Sequence, residues 1–130
     1  MKEFRICLQT QAGQLAQVTE ALAHRGINIE TLAAVQATSL VTALGIVVKL
    51  EQEEAARTAL QGLGLHCDER DLITLKLKNQ PGELAKLTKN LAGSHINIES
   101  IYFMGTDEGD EVLVLSVDDV TRAKEILNLA

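Results

Sequence analysis

The sequence predicts an α+β protein made of two copies of one small βαββαβ unit, the second lacking its last strand. Three observations carry that prediction. An internal repeat lies at an offset of 69 residues, the same order of elements is readable in each copy, and the chain runs out before the second copy's fourth strand. Without a gap, residues 13–30 match residues 82–99 at ten of eighteen positions, including Gly13/Gly82, Leu15/Leu84, Leu22/Leu91 and the run Ile27-Asn28-Ile29-Glu30 against Ile96-Asn97-Ile98-Glu99. A period this long is too large for a solenoid repeat and marks two copies of a domain. The expected domains are therefore residues 1–71 and 72–130.

In the first copy, Phe4, Ile6 and Leu8 alternate with Arg5, Cys7 and Gln9, the period of a strand over residues 3–10. Gln11-Ala12-Gly13 breaks the alternation. Leu15, Val18 and Leu22 then recur at helical spacing, and Gly26 stands where the residue after a helix favours glycine. Residues 27–35 and 40–50 read as strands. Residues 51–60 restart a helix with acids in its first turn, where the helix dipole favours them. Residues 65–69 complete the unit.

The second copy repeats the order with a strand over residues 72–78, a turn at Pro81-Gly82, a helix through Leu84, Leu87 and Leu91, and a strand over 96–104. Thr106-Asp107-Glu108-Gly109-Asp110 has the composition of a hairpin turn before a strand over 112–117. Asp118/Asp119 open a last helix carrying Ile126 and Leu127. At constant offset Ala130 corresponds to Gln61, so the partner of the first copy's last strand is missing. The short connection makes residues 65–78 readable as one long element, shared or swapped. A sheet edge left open in this way argues for pairing with another chain. In 96–104, period two sets Ile101 and Phe103 on the face opposite Ile96 and Ile98, and residues 112–117 are apolar at both parities. That pattern fits either a patchy surface or a second sheet against the open face, hence a homodimer or higher homo-oligomer.

Each half carries six Lys/Arg and nine Asp/Glu, so each contributes −3 to the net −6. Neither half is basic, which leaves no electrostatic footprint for nucleic acid. Cys7 and Cys67 are too few for a disulfide framework, and no signal segment or membrane-length apolar run is present. These features predict a cytoplasmic protein that engages neither membrane nor nucleic acid. The two cysteines could be neighbours on adjacent strands as inert thiols.

Few residues have the pattern of a chemical site. His24, His66 and His95 lack paired ligand spacing, the acidic run Asp107–Glu111 is too short for a calcium loop, and no catalytic triad, phosphate loop or dinucleotide fingerprint occurs. No metal, cofactor or catalytic residue is expected, and the chain is not read as an enzyme. The candidates are the glycine turns at Gly13 and Gly82, which present free backbone N–H groups at a helix start, and the recurring Asn28 and Asn97, whose amides both donate and accept. Tight-turn and capping roles for the same residues are comparably common.

The stretch Asn79-Gln80-Pro81-Gly82-Glu83-Leu84 followed by Ile96-Asn97-Ile98-Glu99-Ser100 resembles the ACT domain, and the repeat makes the chain similar to a free-standing tandem ACT protein. The resemblance implies ferredoxin-like units with helices on one face, usually side by side as one eight-stranded antiparallel sheet, and regulation of amino-acid metabolism. It implies an amino-acid effector between domains, held by Asn79, Pro81 and Gly82 of one loop and by Asn97 of a facing strand, with Gly13 and Asn28 as first-copy equivalents. The first copy reads Thr10-Gln11-Ala12-Gly13, without the Asn and Pro. Leu77 stands where some serine-binding members have histidine. The function implied is an amino-acid sensor, or alternatively a non-catalytic subunit docking on an amino-acid biosynthetic enzyme.

Overall fold

The structure is a computed structural model and describes residues 1–129. The chain divides into two compact units, Met1–Arg70 and Asp71–Ala130. In the first unit the elements are β1 (Lys2–Gln9), α1 (Gln14–His24), β2 (Ile29–Gln36), β3 (Val41–Val48), α2 (Glu53–Gly62) and β4 (Cys67–Asp71). A single 3-10 turn, Leu50–Gln52, leads into α2. The second unit has β5 (Ile73–Lys78), α3 (Glu83–Gly93), β6 (Ile98–Asp107), β7 (Asp110–Val117) and α4 (Val120–Ile126).

Hydrogen bonding divides the strands between a four-stranded sheet, β2-β3-β1-β4, and a three-stranded sheet, β5-β7-β6. Residues 65–78 are not one long element. β4 lies beside β1, β5 lies beside β7, and Leu72 falls between them. The second unit has no fourth strand among the described residues.

Period-two alternation builds each core. In the first unit Phe4, Ile6 and Leu8 of β1 and Leu44, Ile46 and Val48 of β3 share a cluster with Val18 and Leu22 of α1 and Ala56, Ala59 and Leu60 of α2. Both helices thus cover one face of the sheet. In the second unit Ile73, Leu115 and Val117 meet Leu87 and Leu91 of α3 and Ala123 of α4. Burying one large aliphatic or aromatic side chain contributes about 1.5–3 kcal/mol, so each unit has a core of its own to hold its layers together. On the faces away from the helices, Glu3, Val47, Val114 and Ser116 are also buried.

The parity predicted for Ile101 and Phe103 is overturned. Ile98 pairs with Val117 but Ser100 pairs with Ser116, so Glu99 is an extra residue in the ladder. The bulge shifts the alternation by one, as a single inserted residue must. Ile101 then faces Leu115 and Phe103 faces Leu113, on the helix-bearing side. The first copy has the same irregularity, with Ile29 opposite Val48, Thr31 opposite Val47 and Glu30 extra. Ile101 and Phe103 are nonetheless exposed and lie outside the core cluster.

Two further expectations are corrected. Cys67 packs against the first core on the helix side, whereas Cys7 is exposed on the opposite face of β1, so the thiols are not neighbours. The constant offset also fails in the last helix. β7 keeps it, but no 3-10 turn precedes α4, which has 7 residues against 10 in α2. Asn128 (φ 57) takes the left-handed backbone that Gly64 (φ 73) takes after α2. Leu129 consequently has the place of Leu65, each packed against its own cluster.

Candidate functional site

The two glycine turns are built alike. Gly13 (φ 91) and Gly82 (φ 89) are the N-cap residues of α1 and α3, in a left-handed conformation that costs other residues about 1–2 kcal/mol. A Cβ at either position would meet nothing within 4 Å, so backbone angle and not space requires the glycine. Matching hydrogen bonds close both loops: Gln11 to Gln9 and Gln80 to Lys78 at 2.9 Å, and Gln17 to Gly13 and Lys86 to Gly82 at 3.0 Å, each donated by the first-named amide. Neither cap residue offers a side-chain acceptor. Among the described residues, the first-turn amides of Leu15, Ala16, Leu84 and Ala85 therefore have no acceptor. Unclaimed donors at the positive end of a helix dipole suit a carboxylate.

The loops differ in their surroundings. Beside the first lies a shallow concavity of about 190 Å³, lined by Leu8, Thr10, Gln11, Leu15 and Thr42 among others, with no ionisable side chain. The Thr10 and Thr42 hydroxyls are 3.1 Å apart. In the second loop Asn79 takes the place of Thr10, and Pro81 and Gly82 follow, all exposed. The threonine pair was not anticipated, because its two members meet only through the β1–β3 register.

Asn28 and Asn97 stand immediately before β2 and β6, not within them, and both are exposed. Their main chains are clamped. The Asn28 amide donates to Gln52 Oε1 at 3.2 Å while Gln52 Nε2 donates to the Gly26 carbonyl. The Asn97 amide donates to Asp118 Oδ1 at 3.0 Å, and the Asp118 amide donates back to the Asn97 carbonyl at 3.1 Å. Neither asparagine side chain has a partner among the described residues, so each carboxamide is available while its backbone is fixed. Gln52 and Asp118 do not correspond under the repeat, so the repeat gave no signal for them.

Within one unit the candidates do not converge. Lys78 pairs with Asp110 at one end of β7, whereas Ile98 pairs with Val117 at the other. Seven residues of strand at about 3.3 Å each separate the ends by roughly 23 Å. The loop residues Asn79, Pro81 and Gly82 thus lie at the opposite end of the sheet from Asn97. Gly13 and Asn28 are divided in the same way by β3.

Charged groups elsewhere in the units are structural. Arg57 donates to both Glu69 oxygens at 2.7 and 2.6 Å and lies 6.0 Å from the Phe4 ring centroid, tying α2 to β4. The hydrogen bond from Arg57 holds the Glu69 carboxyl below its usual range. Burial, with Glu69 and Asp68 nearby, pushes the Cys67 thiol up to about 11. Among the described residues no group of three His, Cys, Asp or Glu could hold a metal ion, and no helix is long and apolar enough to cross a membrane.

A family model described as an ACT domain pair matches residues 1–130. The chain belongs to the ACT domain pair family. A Bacteroides thetaiotaomicron protein of known structure is 25% identical to this ACT domain pair, covering 98% of it and 85% of its own chain, with a TM-score of 0.84. The regulatory subunits of aspartate kinase from Thermus thermophilus and Thermus flavus share the fold at 21% and 22% identity, with TM-scores of 0.72 and 0.73. Each covers 98% of this chain, and 89% and 87% of their own chains are covered. No curated protein matches the sequence.

Proposed function

We propose that this ACT domain pair is a non-catalytic sensor that binds an amino acid between ACT domains and passes the change to a partner or to its own assembly. The observation that carries the reading is the opposite placement of two complementary half-sites. A glycine-capped helix start with unclaimed amides suits the effector's carboxylate, and an asparagine carboxamide on a clamped backbone suits its ammonium or carboxylate. With about 23 Å between the half-sites of one unit, an amino acid that touches both must take them from two ACT domains. A ligand held in this way favours one relative orientation of the domains and shifts their equilibrium.

The test is thermal unfolding in the presence of each of the twenty amino acids at millimolar concentration. An effector at a hundred times its dissociation constant adds about 2.7 kcal/mol, a shift of several degrees for a chain this size. The reading requires a selective shift that is lost both in Gly82→Val and in Asn97→Ala. A second reading is a non-catalytic subunit docked on an amino-acid biosynthetic enzyme; the Thermus proteins of like fold are named as regulatory subunits of aspartate kinase. Co-purification with a large catalytic chain and no shift with any amino acid would favour it.

A further inference from the structure

We infer that Asp118 and Gln52 are positioning residues: each holds one asparagine of the proposed effector site by its main chain, and effector affinity depends on that hold. The inference rests on the sensor reading above. In the second unit the β6–β7 ladder ends with Ile98 opposite Val117, and the chain adds one further bridge between Asn97 and Asp118. The Asp118 amide donates to the Asn97 carbonyl at 3.1 Å, and Asp118 Oδ1 accepts from the Asn97 amide at 3.0 Å. A carboxylate oxygen thus stands in for the main-chain acceptor, and hydrogen bonds to an ionised acceptor are the stronger kind.

The first unit reaches the same result by another route. Ile29 pairs with Val48, so Lys49 follows in the place that Asp118 holds in the second unit. A lysine side chain has no acceptor. Gln52, the N-cap residue of α2, supplies one instead: its Oε1 accepts from the Asn28 amide at 3.2 Å while its Nε2 donates to the Gly26 carbonyl at 3.1 Å. At the repeat offset Gln52 corresponds to Thr121, so neither copy carries the other's clamp residue. Two unrelated side chains arriving at one geometry single out the fixed asparagine main chain as the shared requirement. Core packing does not impose it, because Asn28, Asn97 and Asp118 are all exposed. A carboxamide carried on a fixed backbone loses less freedom when a ligand takes it, which is how preorganisation raises affinity.

The test begins on the ligand-free chain with amide hydrogen exchange. The Asn97 amide should exchange about fivefold faster in Asp118→Ala, as the loss of one hydrogen bond implies. Asp118→Asn, which keeps an acceptor oxygen, should restore the parent rate. Gln52→Ala should have the same effect at Asn28, and adding Lys49→Asp, which copies the second unit's solution, should reverse it. The parent, Asp118→Ala and Asp118→Asn are then titrated calorimetrically with whichever amino acid raises the parent's melting midpoint. Affinity should fall about fivefold or more in Asp118→Ala with unchanged circular dichroism, and return in Asp118→Asn. Unchanged Asn97 exchange in Asp118→Ala overturns the inference. So does faster exchange with full effector affinity, a result that leaves the sensor reading standing. A Lys49→Asp change that restores nothing overturns it for Gln52, and a parent chain that responds to no amino acid overturns both the sensor reading and the inference.

Discussion

Ile101 lies opposite Leu115 across the β6–β7 ladder because Glu99 is bulged out of register. Simple alternation from Ile98 would have turned Ile101 to the other face of the sheet. The same residue of the motif, Glu30, is extra in the first copy, so the bulge is part of the repeated architecture.

Removing the extra residue should therefore be far worse than changing it. Deletion of Glu99 reverses the face of every later residue in β6 and carries Ile101 and Phe103 away from Leu115 and Leu113. The expected outcome is a second unit that no longer unfolds cooperatively. Glu99→Ala keeps the register and should cost about 1 kcal/mol, the centre of the range for single substitutions. Urea unfolding followed by circular dichroism distinguishes the two.

The bulge also shows where sequence reading stopped. The order of elements was legible because two independent periods, 2 and 3.6, recur at one offset, and the glycine turns because positive φ has a residue signature. An inserted strand residue leaves no compositional mark, and only the recurrence of Glu30 and Glu99 hinted at it. The shortened last helix was hidden by an offset that holds through β7 and then fails. Of the candidate site, residue types were legible but not their separation, which follows from the antiparallel register that sends each loop and each asparagine to opposite ends of a strand.

His95 carries a backbone conformation better suited to glycine. Its φ is 59, and its amide donates to the Ala92 carbonyl at 3.0 Å, just as Gly26 (φ 69) does to Ala23 at 2.9 Å. His95 is exposed, so little packing opposes a change. His95→Gly should stabilise the chain by about 1 kcal/mol and Gly26→Ala should destabilise it by a similar amount, the cost of left-handed backbone at a non-glycine residue. Differential scanning calorimetry would show the two midpoints moving in opposite directions.

The Arg57–Glu69 pair gives the first unit an acid sensitivity. The Glu69 pKa is depressed in the folded state, first by its hydrogen bond from Arg57. The unfolded chain then binds the proton more readily, so the pair's contribution is present above the unfolded carboxylate value of about 4.3 and lost as pH falls through the lower folded value. Glu69→Gln should lower the melting midpoint at pH 7, with the difference from the parent chain shrinking below about pH 4. A difference that stays constant down to pH 2.5 would show that the carboxylate charge contributes nothing.

The two thiols should separate by reactivity. Thiolate is the attacking form, and Cys67 is held from it by burial against the first core and by the neighbouring Glu69 and Asp68, with its pKa pushed up to about 11. Cys7 is exposed on the other face of β1. At pH 8 an aromatic disulfide reagent should modify one thiol rapidly, and Cys7→Ser should abolish that phase while leaving a slow one. Glu69→Gln removes the largest of the charges that oppose ionisation of Cys67 and also frees the Arg57 guanidinium, which favours the thiolate. Both changes act in the same direction, so the slow phase should accelerate in that variant. An unchanged slow rate in Glu69→Gln would assign the protection of Cys67 to burial alone, and global unfolding would then set the pace of its modification.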